Sequence, residues 1–304
     1  MSKKGSVLVC GASGVQGGAI VTQLLSAGYQ VSAITRSSDK QKAFIERGIE
    51  AKLGELGNAA SLKMACKGVD YFVLVLPLDR DKELFGSYAN NVIDAIKSTD
   101  IKNLIVCTRS RVPEEVTDIP AMEAKREAEK RFSESGIVFI SLRSTIYMDN
   151  TKIQWIRSYI NEHSVFRYPL PVDLKVAWIS ADDEAGFVLG ALEKTELAGR
   201  IFDIGGPKAV TGIEIAQGFS SALGREIKFE SITPAAFGAQ IARFLGEETA
   251  PALDKNYSYI ANHPENWGRL SEEVTTLLYQ PKDDFKSWVS RQIPHVFQKV
   301  YSKL

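Results

Sequence analysis

The stretch VLVCGASGVQGGAIVTQLLSAG, residues 7–28, constrains this chain more than any other. Four apolar residues run into Gly11, and Gly14 and Gly17 follow at three-residue spacing before a run with helical periodicity. A strand that enters a glycine turn and leaves it as a helix must cross back over its own sheet, because parallel neighbours cannot be joined by a hairpin. Each glycine has a physical task in such a turn. The first permits the tight reversal, the second lets the backbone approach a phosphate closely, and the third lets the helix pack against the strand. The first amides of the helix then face an anion, with the positive end of the helix dipole behind them.

The rest of the first half repeats this alternation. Strand candidates lie at 7–10, 30–35, 50–53, 71–76, 103–108 and 138–143, separated by segments of helical spacing. The clearest of these places Leu84, Phe85, Tyr88, Ala89, Val92, Ile93 and Ile96 on one stripe, which reads as core. Strands alternating with helices predict a doubly wound parallel-sheet α/β fold of the Rossmann type. After Arg143 the alternation breaks: an aromatic-rich segment holds Tyr168-Pro169-Leu170-Pro171, which reads as a loop. A helix is expected at 182–194, a strand at 200–204, a helix from the Thr211 cap to about Leu223, and a strand at 226–232. This predicts a nucleotide-binding domain over 1–145 and a smaller mixed α/β lobe over 146–304, with about 176–204 returning to the first domain.

The end of the second strand bears on which nucleotide is bound. A site for NAD usually carries an acid there to accept from the ribose 2′-hydroxyl, but this chain reads Ala33-Ile34-Thr35-Arg36-Ser37-Ser38. Arg36 supplies a fixed, planar cation suited to a phosphate, and Ser37 and Lys40 can assist it. NADP(H) is therefore favoured over NAD(H). Gly11, Ser13, Gly14, Val15, Gln16 and Gly17 are expected at its pyrophosphate.

Composition narrows the alternatives. The 37 basic and 37 acidic residues cancel and are interspersed, so the electrostatic footprint of a nucleic-acid binder is missing. No window approaches the roughly 18 consecutive apolar residues of a membrane span, and the apolar run of the N-terminus is too short for a signal segment. Cys10, Cys66 and Cys107 have no paired spacing and fit a reducing, cytoplasmic setting. His163, His263 and His295 are isolated, which gives no support to metal binding, and Ser13 is not in a nucleophile elbow.

The segment 121–136, AMEAKREAEKRFSESG, looks like a solvated charged helix. Ala121, Lys125, Ala128 and Phe132 nevertheless fall on one face, and that face is apolar. Glu123, Arg126, Glu127, Lys130 and Glu134 cover much of the remainder. Lys125 is therefore a charge on the core-facing stripe, which must either snorkel or find a partner or ligand.

Taken together, CGASGVQGGAI, ITRSSDK, the Lys125 helix with SESGIVFISLRSTIYMDN, WISADDEAG and IFDIGGPKAVTGIEIAQ resemble the NmrA-like branch of the atypical short-chain dehydrogenase/reductases. The resemblance is strong to about Phe229 and weak beyond. It implies that Lys125 matches the lysine of the Tyr-x-x-x-Lys pair, which bonds the nicotinamide ribose, while Ala121 stands where the tyrosine acid would be. It also implies Thr108 as the hydroxyl at the end of the fifth strand, with Ser110 taking its place if the match slips by two residues. Glu55 is placed near the adenine, Leu76 and Pro77 near the nicotinamide ribose, and Tyr147 and Met148 at the wall over the nicotinamide. Trp155, Phe166, Tyr168 and Trp178 either line an aromatic pocket for a planar substrate or form core.

Two functions remain open at this stage. One is an NADPH-dependent reductase of a small planar or carbonyl-bearing molecule such as a quinone or enone, with Lys125, Thr108 and Tyr147 as catalytic candidates. The other is an NADP(H)-binding redox sensor without turnover, acting through regulatory protein partners. A homodimer is compatible with either.

Overall fold

The computed structural model describes residues 4–78, 81–268 and 270–296. Its strands are β1 (Ser6–Cys10), β2 (Gln30–Thr35), β3 (Glu50–Leu53), β4 (Tyr71–Val75), β5 (Asn103–Cys107), β6 (Phe139–Ser144), β7 (Val165–Tyr168), β8 (Ile201–Ile204) and β9 (Lys228–Ser231). The chain divides into two compact units. The first comprises Met1–Ser144, Ala181–Ile204 and Ser271–Gln280; the second comprises Thr145–Ser180, Gly205–Leu270 and Pro281–Leu304.

In the first unit seven parallel strands are ordered β3-β2-β1-β4-β5-β6-β8. The chain builds outward from β1 to β3, then returns across the sheet to pair β4 with the other side of β1. That reversal opens a crevice at the carboxyl ends of β1 and β4, the place where open α/β sheets bind ligands. The central strands YFVLV and NLIVC are buried along their whole length, as parallel strands covered on both faces require. The covering helices are α1 (Val15–Ser26), α2 (Ser38–Glu46), α3 (Ala59–Cys66), α4 (Lys82–Lys97), α5 (Pro120–Glu134) and, after α6 (Gln154–His163), which belongs to the second unit, α7 (Ala181–Ala191). Phe85, Ala89, Val92, Ile93 and Ile96 of α4 form the predicted stripe in this core, with Ala124, Ala128 and Phe132 of α5 beside them. Asn103, buried at the start of β5, donates from its amide to the carbonyls of Ala191 and Leu192 at 3.2 Å each, and so ties the end of α7 to the sheet.

The second unit departs from the sequence expectation: the segment returning to the first unit starts at Ala181, and Ser271–Gln280 belongs to the first unit as well. The second unit also holds a strand beyond those expected, β7, which ends at Tyr168 where the expected loop begins and whose four residues pair in parallel with β9, Phe166 opposite Phe229. A strand this short, joined to a partner some sixty residues away, leaves almost no periodic signal. Around this pair lie α6, α8 (Gly212–Leu223), α9 (Pro234–Leu245), α10 (Thr249–Asn262) and, after α11 (Glu272–Leu277) of the first unit, α12 (Phe285–Val296). The capping box predicted at Thr211 and Glu214 starts α8. Phe166, Tyr168 and Trp178 are fully buried in the core of this unit, with ring centroids of Tyr168 and Trp178 5.0 Å apart. They are core, not pocket lining. Trp155 is partly buried against that core, its ring 6.0 Å from Phe237. The tail helix closes the same core through Phe285, Trp288 and Val289; the Val296 side chain lies outside the described residues.

Phe132 anchors α5 to the sheet, its ring 6.0 Å from that of Phe139 on β6. Phe132→Ala should cost about 3–5 kcal/mol of unfolding free energy in urea, the range for emptying a buried aromatic site. A loss below about 1 kcal/mol would show that α5 is not held by this contact.

Candidate active site

The site is built at the carboxyl ends of the first unit's strands. Gly11 ends β1 with φ +90°, and a Cβ there would stand 2.9 Å from Cβ of Val75 on β4. A Cβ at Gly17 would land on the Gly11 carbonyl, so α1 crosses in direct contact with the turn. Gly14 is different: its missing Cβ would meet only the Gly11 carbonyl, at 3.4 Å. What the absent side chain leaves is space in front of the helix. The first turn of α1 has neither a side-chain cap nor an acidic residue, so its amides are available to an anion. Val15 is exposed and Gln16 is buried at the start of the helix.

The loop after β2 reaches the same place. Ser37 caps α2 by accepting from the Lys40 amide at 3.4 Å, and Lys40 Nζ donates to Ser13 Oγ at 3.3 Å. A lysine is thus held between the glycine turn and the loop of Arg36, which is itself exposed. The charge of Arg36 reaches Cys10 at the end of β1, although burial dominates there and pushes the thiol up to about 12. Burial does the same to Cys66, to about 12, and drives Cys107 well up, so none of the three supplies a thiolate near neutral pH. Glu55 is exposed in the loop after β3, a loop tied to β2 by the Gly54 amide donating to the Thr35 carbonyl at 3.1 Å. Leu76 extends β4 by one bond, its amide donating to the Cys107 carbonyl at 3.0 Å, and Pro77 follows half-buried. An uncapped helix start, an opening at Gly14 and two cations with hydroxyls at the end of β2 together fit a dinucleotide with an additional phosphate.

Beyond β5 the backbone turns sharply. Thr108 is fully buried and its hydroxyl donates to the Ser110 carbonyl at 2.7 Å, bridging over Arg109, whose φ is +65°. The proton of Thr108 is committed to that turn. The hydroxyl presented to the site is Ser110, to whose Oγ the Lys125 ammonium donates at 2.5 Å. Ser110, which the family pattern allowed only after a two-residue slip, is the hydroxyl that Lys125 reaches. Ala121, half-buried one turn before Lys125, provides no acid. Tyr147 is buried in the second unit, where it forms a bridge with Ile179.

Lys125 is 8% exposed. Burial pushes its amine down to about 7, the neighbouring Arg109 charge adds to the effect, and Glu129 opposes it. Glu129 was not anticipated: it lies four residues after Lys125 on the same helical face, is buried, and belongs to a second network. Arg143 on β6 donates to its carboxylate from Nε at 3.0 and 3.2 Å and from Nη2 at 2.7 Å, and Ser141 Oγ donates at 2.6 Å. A fully satisfied fork of this kind spends most of the carboxylate's capacity on Arg143. Lys125 is left with a hydroxyl rather than a counter-ion. The polar face of α5 fixes the preceding loop, because Glu123 accepts from the Thr117 amide and hydroxyl at 2.9 Å each and Arg126 donates to the carbonyls of Glu114 and Glu115.

A cavity of about 690 Å³ lies within the second unit, lined by Pro171, Leu174, Lys175, Ala209 and Pro264 among others. None of the candidate cofactor or catalytic residues lines it. No helix among the described residues is long and apolar enough to cross a membrane.

The sequence profile of the NmrA-like family matches residues 3–303. The chain is 28% identical over 254 residues to an NAD(P)H azoreductase of Xenophilus azovorans, covering 83% of this chain and 86% of that protein. Among solved structures, an NADPH-dependent quinone oxidoreductase from Escherichia coli, complexed with NADPH, superposes with a TM-score of 0.75 at 21% identity, over 94% of this chain and 99% of the other. NmrA, a negative transcriptional regulator, in complex with NADP, gives 0.73 at 14% identity, over 100% and 99%.

The lowered amine of Lys125 has a consequence for stability. The unfolded chain keeps that proton up to the ordinary lysine range, whereas the folded chain releases it near neutrality, so folding is penalised below about pH 7 and the penalty lifts as pH rises toward that range. Lys125→Met should therefore raise the melting temperature more at pH 6 than at pH 9.5. A gain that is the same at both values would show that the buried amine does not titrate near neutrality.

Proposed function

The chain belongs to the NmrA-like family, and from that premise we propose that it binds NADP(H) and acts as an NADPH-dependent reductase of a small acceptor, a quinone, an enone or another carbonyl compound. The observation that carries this reading is Lys125 held against Ser110 Oγ at 2.5 Å, with an amine poised near neutrality at the carboxyl end of the sheet. The azoreductase and quinone oxidoreductase relatives support the same class of activity.

In this reading the amides of Val15, Gln16 and Gly17 hold the pyrophosphate over the opening at Gly14, whose own amide is spent on the Gly11 carbonyl, and Arg36, Ser37 and Lys40 hold the 2′-phosphate. Glu55 lies at the adenine and Leu76 and Pro77 at the nicotinamide ribose. When bound, the cofactor supplies a hydride. Lys125 binds the ribose hydroxyls or polarises the acceptor oxygen, and its pKa lets it both hold and release a proton near pH 7. Ser110 Oγ, in contact with the ammonium, takes the role expected of Thr108. Tyr147, the other candidate proton source, belongs to the second unit and is given no part in these contacts. The second reading, a redox sensor without turnover, is favoured by Ala121 where the tyrosine acid would stand and by the NADP complex of the regulator NmrA.

Stopped-time oxidation of NADPH with quinones, enones and aldehydes separates the two. Turnover with at least one acceptor that falls more than about tenfold in Lys125→Met supports the reductase. Tight NADPH binding with no acceptor reduced selects the sensor. Arg36→Ala should weaken NADPH about tenfold, roughly 1.4 kcal/mol, and leave NADH unchanged. Equal losses for both nucleotides would remove Arg36 from the 2′-phosphate.

A further inference from the structure

Arg109 has no role in the site as described, yet it stands next to Ser110 in the chain and its charge reaches Lys125. It follows Thr108 at the end of β5 and has a φ of +65°, a left-handed conformation uncommon for a residue with a side chain. Such a conformation persists only when the surroundings enforce it, and functional sites are where it concentrates. Here the enforcement is visible: the Thr108 hydroxyl spans the turn to the Ser110 carbonyl at 2.7 Å, and the Thr108 amide donates to the Leu142 carbonyl at 3.1 Å.

The guanidinium that this turn presents is uncompensated. Its Nε is shut off from solvent without a hydrogen-bond partner, and among the described residues no carboxylate pairs with it. Other arginines of this unit are paired with acids: Arg111 with Asp203 at 3.4 Å, Arg126 with Glu123 at 3.1 Å, Arg131 with Glu127 at 2.7 Å and Arg143 with Glu129 at 2.7 Å. The positive charge of Arg109 is felt at Lys125, where it weakens the hold on the proton. Glu129, the carboxylate on the same face of α5, is already bound by Arg143 and Ser141. The Lys125 ammonium meets Ser110 Oγ and the Arg109 charge is felt beside it, while Glu129 is taken up by Arg143. A buried donor without a partner carries the full cost of its desolvation, and a planar fork is the geometry that matches an oxyanion.

We propose that Arg109 determines specificity by taking a carboxylate, sulfonate or phosphate group on the acceptor, so that the natural substrate is an anionic compound. This rests on the reductase reading for the word substrate, but the anion site itself does not require turnover. The other anion that could reach this place is a phosphate of the cofactor, and the test separates the two sources.

With the full chain saturated in NADP+, calorimetry should give naphthalene-2-sulfonate an affinity at least about tenfold above that of 2-naphthol, a neutral compound of the same ring. Arg109→Gly suits the left-handed backbone, so it should melt no lower than the parent protein. It should bring the two affinities to within about twofold of each other while leaving 2-naphthol and NADP+ binding unchanged. Arg109→Lys should keep part of the preference. Equal binding of the two compounds by the parent protein, or a preference that survives in Arg109→Gly, overturns the proposal. Loss of NADP+ affinity in Arg109→Gly with unchanged preference assigns the arginine to the cofactor and also overturns it. If the preference behaves as expected while no acceptor is reduced, the reductase reading fails and the anion site stands. Turnover of quinones without any preference for the charged compound is the converse.

Discussion

The first turn of α1 lies against the end of β1 so closely that a methyl group at Gly17 would overlap the Gly11 carbonyl, while a methyl at Gly11 would press on Val75 of the neighbouring strand. Strand, turn and helix are therefore locked at one distance, and β4 is brought to the same point. From this follow the uncapped amides of α1, the opening at Gly14 and the crevice where the strand order reverses. The loop after β2 is then held to the turn by Lys40 on Ser13. The anion-binding end of the molecule follows from a packing constraint before any ligand is considered.

The other end of the site is organised by how four buried or half-buried charges share partners. Arg143 and Glu129 satisfy each other almost completely, and such a pair, once its desolvation is offset, has little field left for a neighbour. Among the described residues neither Lys125 nor Arg109 has a paired counter-ion: Lys125 rests on a hydroxyl, and Arg109 Nε has no hydrogen-bond partner. Had Glu129 turned to Lys125, the amine would have stayed near its ordinary range, unsuited to proton transfer at neutral pH. An ion pair one helical turn away thus leaves the Lys125 amine lowered toward neutrality.

Much of the scaffold was legible because it depends on periodicity and on glycine. The strands of the large sheet, the α4 stripe and the capping box at Thr211 all repeat at short spacing, and Arg36 marks the end of β2 directly. Lys125 was legible as a charge on an apolar face. Glu129 sits on that same face by an i, i+4 step, yet nothing in local spacing marked it, because its partner Arg143 belongs to a strand. β7 escaped because four residues pair with a segment some sixty positions away. Thr108 and Ser110 could not be ranked from sequence, since the choice depends on the left-handed turn at Arg109, a conformation that no arginine announces.

The sequence alone determined the parallel sheet, the place of the glycine turn, the cations facing it and the presence of a lysine where a helix should be apolar, because each of these is written in local spacing. The tertiary structure decided which hydroxyl meets that lysine, which acid is spent elsewhere, that Phe166, Tyr168 and Trp178 are core, and that Arg109 is left without a partner. The physical reason is the same in every case. Hydrogen bonds and ion pairs are short-ranged and are contested among elements far apart in the chain, so their outcome exists only once those elements have packed.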